Sequence, residues 1–149
     1  MISRKRELEK AILAAFVTWA DTDLPATVKR YTSRQTRDND APHVVVSCNA
    51  QKPEQGMDEY VYRMEVSGAI TCSALVDGGD PDTIETLEIL AENFVELLTP
   101  TILTAINDET TTIEVTDFQP DDSEDGYNDG LKRYVSRYSF TAIVRDITE

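Results

Sequence analysis

The chain is poor in the residue types that do chemistry: of its 149 residues, two are cysteine and one is histidine. Cys48 and Cys72 are too few for a disulfide scaffold. Both fall in β-like runs, so they read as small buried thiols of a protein in a reducing cytoplasm. The single histidine, His43, must serve any Ser–His–Asp or Cys–His scheme. A lone histidine directly after a proline at a strand start is more often structural. The sequence has no phosphate loop, no GxGxxG, no HExxH and no paired CxxC, and one histidine with two separated cysteines is a poor zinc set. These absences argue against an enzyme, and no catalytic residue, metal or cofactor is expected. No apolar run approaches the roughly 18 residues of a membrane span, so no membrane partner is expected. Met1–Arg6 is basic but leads into Glu7, Glu9 and Lys10, an amphipathic helix rather than the apolar core of a signal peptide.

Positive charge is also missing from the middle of the chain. Between Arg63 and Lys132 there is no Lys or Arg, while seventeen of the 28 acids lie there. The middle carries about −17 and the flanks about +3, which together make the formal −14. Such a field repels phosphates, so direct nucleic-acid binding is not expected. With 40% hydrophobic residues, the chain is nonetheless no disordered acidic tail. Its length suits one domain, residues 1–149, with a core of its own.

Hydrophobic periodicity supplies the elements. Leu8, Ile12, Phe16 and Trp19 predict an amphipathic helix over 3–20 with Ser3 as its N-cap. Thr27–Tyr31 reads as a short strand, and 32–41 as a polar, mobile loop. His43–Ala50 is a strand, and Gln51–Met57 turns the chain. Tyr60, Tyr62, Met64, Val66, Ile70, Cys72 and Ala74 share one parity of a long strand, bent at Gly68, that forms an antiparallel hairpin with its predecessor. Asp82 with Glu85 resembles a capping box opening a second helix, whose apolar stripe is Ile84, Leu87, Ala91, Phe94, Val95 and Leu98. Pro100 should kink or interrupt that helix before Ile102 and Ile106. Thr111–Phe118 is a strand, 119–130 an acidic mobile loop, and Leu131–Arg145 a last long strand with Tyr134, Tyr138, Phe140, Ala142 and Val144 inward. No internal repeat is present. The order α-β-β-α-β-β predicts an α+β fold, with an antiparallel sheet of four to five strands and two helices packed on one face.

Three charged groups stand out. Glu85, Glu88, Glu92 and Glu96 form one acidic stripe with no basic residue inside the helix, either a solvated face or a surface that meets a neighbour or lines a lumen. Arg4, Lys5, Arg6, Lys29, Arg30, Arg34 and Arg37 form a candidate complementary basic patch. Arg133, Arg137 and Arg145 alternate with the aromatics of the last strand and are placed to pair with acids across the sheet or across subunits. Opposite charge on two separate surfaces suits head-to-tail association, which closes into a ring if the rotation allows. Asp121-Asp122-Ser123-Glu124-Asp125-Gly126 has the alternating oxygens of a calcium loop. Lys132 occupies the position of the bidentate glutamate, however, and no helices flank the loop, so a solvated loop is the better reading.

The opening helix around Leu8–Trp19, the hairpin from Pro42-His43-Val44-Val45-Val46 to Ala74, the helix after Asp80-Pro81 and the closing strand Arg133-Tyr134-Val135-Ser136-Arg137-Tyr138-Ser139-Phe140 have a combined pattern. It resembles the tail terminator and tail-completion (neck) proteins of long-tailed bacteriophages. The resemblance covers nearly the whole chain and is one of element order and length rather than of a signature motif. It implies a structural virion protein of the tail or neck, assembled in the host cytoplasm. It also implies a homo-hexameric ring that caps the tail tube protein, stops its polymerisation, joins the head–tail connector protein and lets DNA pass without specific binding. The alternatives are another neck or head–tail joining protein, or an acidic DNA-mimic inhibitor of a nucleic-acid-binding protein.

Overall fold

The computed structural model describes residues 4–32, 42–53, 63–75, 81–96, 100–128 and 133–147. The elements run α1 (Arg4–Ala20), a 3₁₀ turn (Asp21–Asp23), β1 (Lys29–Thr32), β2 (His43–Pro53), β3 (Arg63–Leu75), α2 (Pro81–Glu96), α3 (Pro100–Asp108), β4 (Ile113–Asn128) and β5 (Arg133–Asp146). The fold is α+β: one five-stranded sheet in the order β1-β2-β3-β5-β4 with helices packed on it. The predicted hairpin is there, with His43 opposite Ser73 and Val46 opposite Ile70. The sheet is not wholly antiparallel, because β1 runs parallel to β2 as an edge strand.

The period of two in β2, β3 and β5 puts Val44, Val46, Cys48, Met64, Val66, Ile70, Cys72, Phe140, Ala142 and Val144 into one buried cluster. The same cluster takes Leu8, Ile12 and Phe16 of α1, Leu87, Ala91 and Phe94 of α2, and Ile102 and Ile106 of α3. An aromatic chain runs through it. Phe94 lies edge-on to Phe16 at 5.4 Å, and Phe118 stacks on Phe140 at 4.8 Å. The thiols of Cys48 and Cys72 are both buried, as expected, and burial pushes both well above the ordinary thiol range.

Three elements, α2, β4 and β2, differ from expectation. Pro100 interrupts the second helix as expected: α2 ends at Glu96, and Pro100 opens a separate helix, α3, at the position where a missing N–H costs nothing. Likewise α2 begins at Pro81, so Asp82 lies within its first turn rather than capping it. The segment expected as an acidic loop is strand: β4 runs to Asn128, with Ser123 opposite Tyr138 and Glu124 opposite Arg137. Its polar composition hid it, since both the inward and the outward positions are hydrophilic. Two register shifts, at Val115/Asp117 and Pro120/Ser123, absorb Thr116 and Asp121-Asp122 as bulges. Strand β2 also runs on to Pro53, past the expected turn at Gln51. Thr32, expected to open a loop over 32–41, is the last residue of β1, while 33–41, Ser3, Tyr60, Tyr62 and Leu98 lie outside the described residues.

Gly68 stands where the sheet is tightest. A Cβ there would lie 2.3 Å from the Ser47 carbonyl oxygen and 2.8 Å from Phe140 Cζ. It faces Cys48, just before the register of β2 shifts between Cys48 and Ala50. The fully buried Glu9 of α1 completes this point: its Oε2 accepts a 2.7 Å hydrogen bond from the Cys48 N–H and pairs with Arg6.

Candidate assembly surfaces

The predicted charged residues separate into those consumed within the fold and those left outward. Arg4 Nε donates to Asp146 Oδ2 at 2.9 Å, and Arg6 is paired with Glu9. Both therefore fasten α1 rather than forming an outward basic patch. Glu7, which the sequence did not single out, does the same work. Its Oε1 accepts the backbone N–H groups of Thr111 at 2.6 Å and Thr112 at 3.0 Å. Burial alone would raise the Glu7 carboxyl, but the hydrogen bonds from Thr112 and Thr111 outweigh it and hold it below its ordinary value. Arg145 Nη2 donates to Glu114 Oε2 at 2.7 Å across the β4–β5 pair, and Arg137 stands opposite Glu124 in the same ladder. Cross-sheet pairing is thus the role of Arg145. Arg133 pairs in register with Asn128, and Arg34 and Arg37 lie outside the described residues.

The acidic stripe is not uniform. Glu88 is half-buried, and its Oε1 accepts a 2.8 Å hydrogen bond from Ser136 Oγ of β5. Its helical position adjoins Leu87 and Ala91 on the sheet-facing side. Beside it, burial and the Glu88 charge push the Tyr138 hydroxyl well above its ordinary range. Glu85, Glu92 and Glu96 are exposed, and between them stands Ile89, 52% exposed. These four positions, spaced four, three and four, form one outward ridge of α2. An isoleucine on the polar face of an otherwise amphipathic helix is the sequence signal for this ridge.

On the far side of the sheet from β4, α1 and β1 enclose an open groove of about 510 Å³. Leu13, Ala14 and Val17 of α1 form its apolar floor, Thr32 closes one wall, and the exposed Lys10 and Arg30 stand at the rim. The floor residues fall at helical spacing on the flank of α1 beside its buried stripe, a position that periodicity alone reads as the margin of the core. Lys29 is exposed on the same edge strand. The opposite edge, β4, carries Glu114, Asp117, Asp121, Asp122, Glu124 and Asp125 and no basic residue, and its positions 119–126 are all exposed. The two edges of one sheet therefore have opposite charge.

No family model and no curated protein matches the chain. Among solved structures it is similar to a chain of the virion of a native gene transfer agent (GTA) particle, at 8% sequence identity and a TM-score of 0.48, over 96% of this chain and 95% of that one. A likeness this distant leaves the functional reading to the surfaces themselves.

For chemistry the described residues offer little. His43 is 3% exposed with its ring 5.9 Å from that of Tyr31, on the sheet face opposite Cys48 and Cys72. A Cys–His pair is therefore precluded by the parity of β2. Among the described residues no group of three His, Cys, Asp or Glu side chains could hold a metal ion, and Asp121–Gly126 is strand rather than a calcium loop. No single described helix is long and apolar enough to cross a membrane.

Proposed function

We propose that this chain is a non-catalytic structural protein of a virion, a ring-forming tail terminator of the tail or neck. The observation that supports this reading is the pair of unlike surfaces on one small body. A basic-rimmed apolar groove lies at the β1 edge, and a basic-free acidic surface covers α2 and β4. Two different patches that attract one another make a head-to-tail contact, which propagates until rotation closes it. In the proposed role, six copies close a ring on the last layer of the tail tube protein. The far side of the ring lacks the tube's polymerising surface and so halts growth, and it receives the head–tail connector protein. DNA crosses the lumen without being held, because exposed carboxylates repel phosphate.

The test is direct. Purified chain is sedimented over a range of concentrations and then added to polymerising tube protein. Ring-sized particles and arrested tubes are expected; tubes that lengthen unchecked in its presence would sink the terminator role. The exposed acids of β4 also fit a DNA mimic that occupies a nucleic-acid-binding protein. Recovery of such a protein bound to a chain that forms no ring would favour that second reading.

A further inference from the structure

We propose that the groove between α1 and β1 is the docking site for helix α2 of a second copy of this chain, with Ile89 as the residue that enters it. The proposal rests on the head-to-tail reading above and specifies its contact. The described exposed large apolar residues are Trp19, Ile89, Tyr134 and Ile147. Of these, Ile89 alone stands midway along a helix face with carboxylates on both sides. Glu85 and Glu92 bracket it, and they lie seven residues apart, about 10 Å at 1.5 Å per residue.

The groove is the counterpart in shape and charge. Its apolar floor runs along α1 from Leu13 to Val17, and Lys10 stands one turn before it. Ala14, the smallest of the floor residues, leaves room beside Leu13 and Val17 for an apolar side chain from outside. Lys10 of α1 and Arg30 of β1, both at the rim, meet the carboxylates that flank Ile89. The acidic strand β4 is the weaker candidate, because its exposed stretch 119–126 is hydrophilic apart from Pro120 and offers nothing to an apolar floor. Groove and ridge are different surfaces, so each docked copy still presents one of each, and the contact repeats around a ring.

Disulfide trapping tests the geometry. The natural Cys48 and Cys72 are buried and do not compete. Ala14→Cys chain mixed with Ile89→Cys chain under mild oxidant should give a covalent dimer, whereas Thr104→Cys, at an exposed position of α3, mixed with Ile89→Cys should not. In parallel, sedimentation compares wild type with Ile89→Asp, a change at a half-exposed position whose fold is checked by circular dichroism. Self-association should weaken at least about tenfold, the loss expected of an interface anchor. Suppose wild type associates but Ile89→Asp does so equally, or the Thr104 control traps as well as Ala14. The docking is then wrong and the head-to-tail reading stands. If wild type never associates, alone or on tubes, both fall together.

Discussion

At the scale of single residues, the fold depends on a few polar or small groups in places where hydrophobic patterning predicts nothing. Gly68 is one: a methyl group there meets the Ser47 carbonyl, which cannot retreat without moving its strand, and the buried ring of Phe140. Gly68→Ala should cost about 1–3 kcal/mol in urea unfolding, the usual penalty for overpacking. Glu9 is another, a buried carboxylate held by Arg6 and the Cys48 N–H. Glu9→Ala removes a charge that Arg6 and the strand both need, and a loss of about 3–5 kcal/mol is expected by the same measurement.

Glu7 adds a pH dependence whose sign follows from its lowered carboxyl. A depressed folded value means that the stabilisation is complete above the ordinary 4.5 and is lost as pH falls through the lower folded value. Wild type should therefore exceed Glu7→Gln in stability at about pH 7, and the gap should close progressively below about pH 4.5.

At the scale of elements, the informative case is β4, an edge strand whose acids were read as a loop. Strand formation there does not come from its own propensity. It comes from β5, whose alternating Tyr138, Phe140, Ala142 and Val144 are committed to the core and offer a ladder to whatever lies alongside. Its outer edge is partly closed by α3: Asn107 Nδ2 donates to the Val115 carbonyl at 3.0 Å, and Asn107 Oδ1 accepts the Val115 N–H at 2.7 Å. That amide imitates a neighbouring strand for one residue. Asn107→Ala should leave both groups unpaired, costing about 1–3 kcal/mol, with faster amide exchange confined to the start of β4. Beyond this point the carboxylates, Pro120 and two bulges keep the edge from pairing with another chain's strand. Contact through a helix ridge rather than through sheet extension is consistent with that.

At the scale of the whole molecule, the charge separation makes association salt-dependent. Screening shortens with ionic strength, so raising NaCl from about 0.05 M to about 0.5 M should weaken self-association. The apolar seat of Ile89 should preserve part of it. Sedimentation equilibrium at the two salt levels measures both components. An association unchanged by salt would remove charge complementarity from the account.

The sequence by itself determined the α+β class, the hairpin, the inward parity of β3, that of β5 from Tyr138 onward (Tyr134, expected inward, is exposed near the strand's start), the buried thiols, and the scarcity of catalytic groups. All of these follow from local periodicity or simple composition. Only the tertiary structure decided that β1 joins parallel to β2, that 119–128 is strand, and that Arg4, Arg6, Glu7, Glu88 and Arg145 are bound internally. Most of these are pairings between residues far apart in the chain, Arg6 with Glu9 being a local one within α1. The groove likewise belongs to no single segment: its floor comes from α1 and its rim from α1 and β1 together. A pattern read along one dimension shows which residues are charged, but not which of those charges the fold has already neutralised.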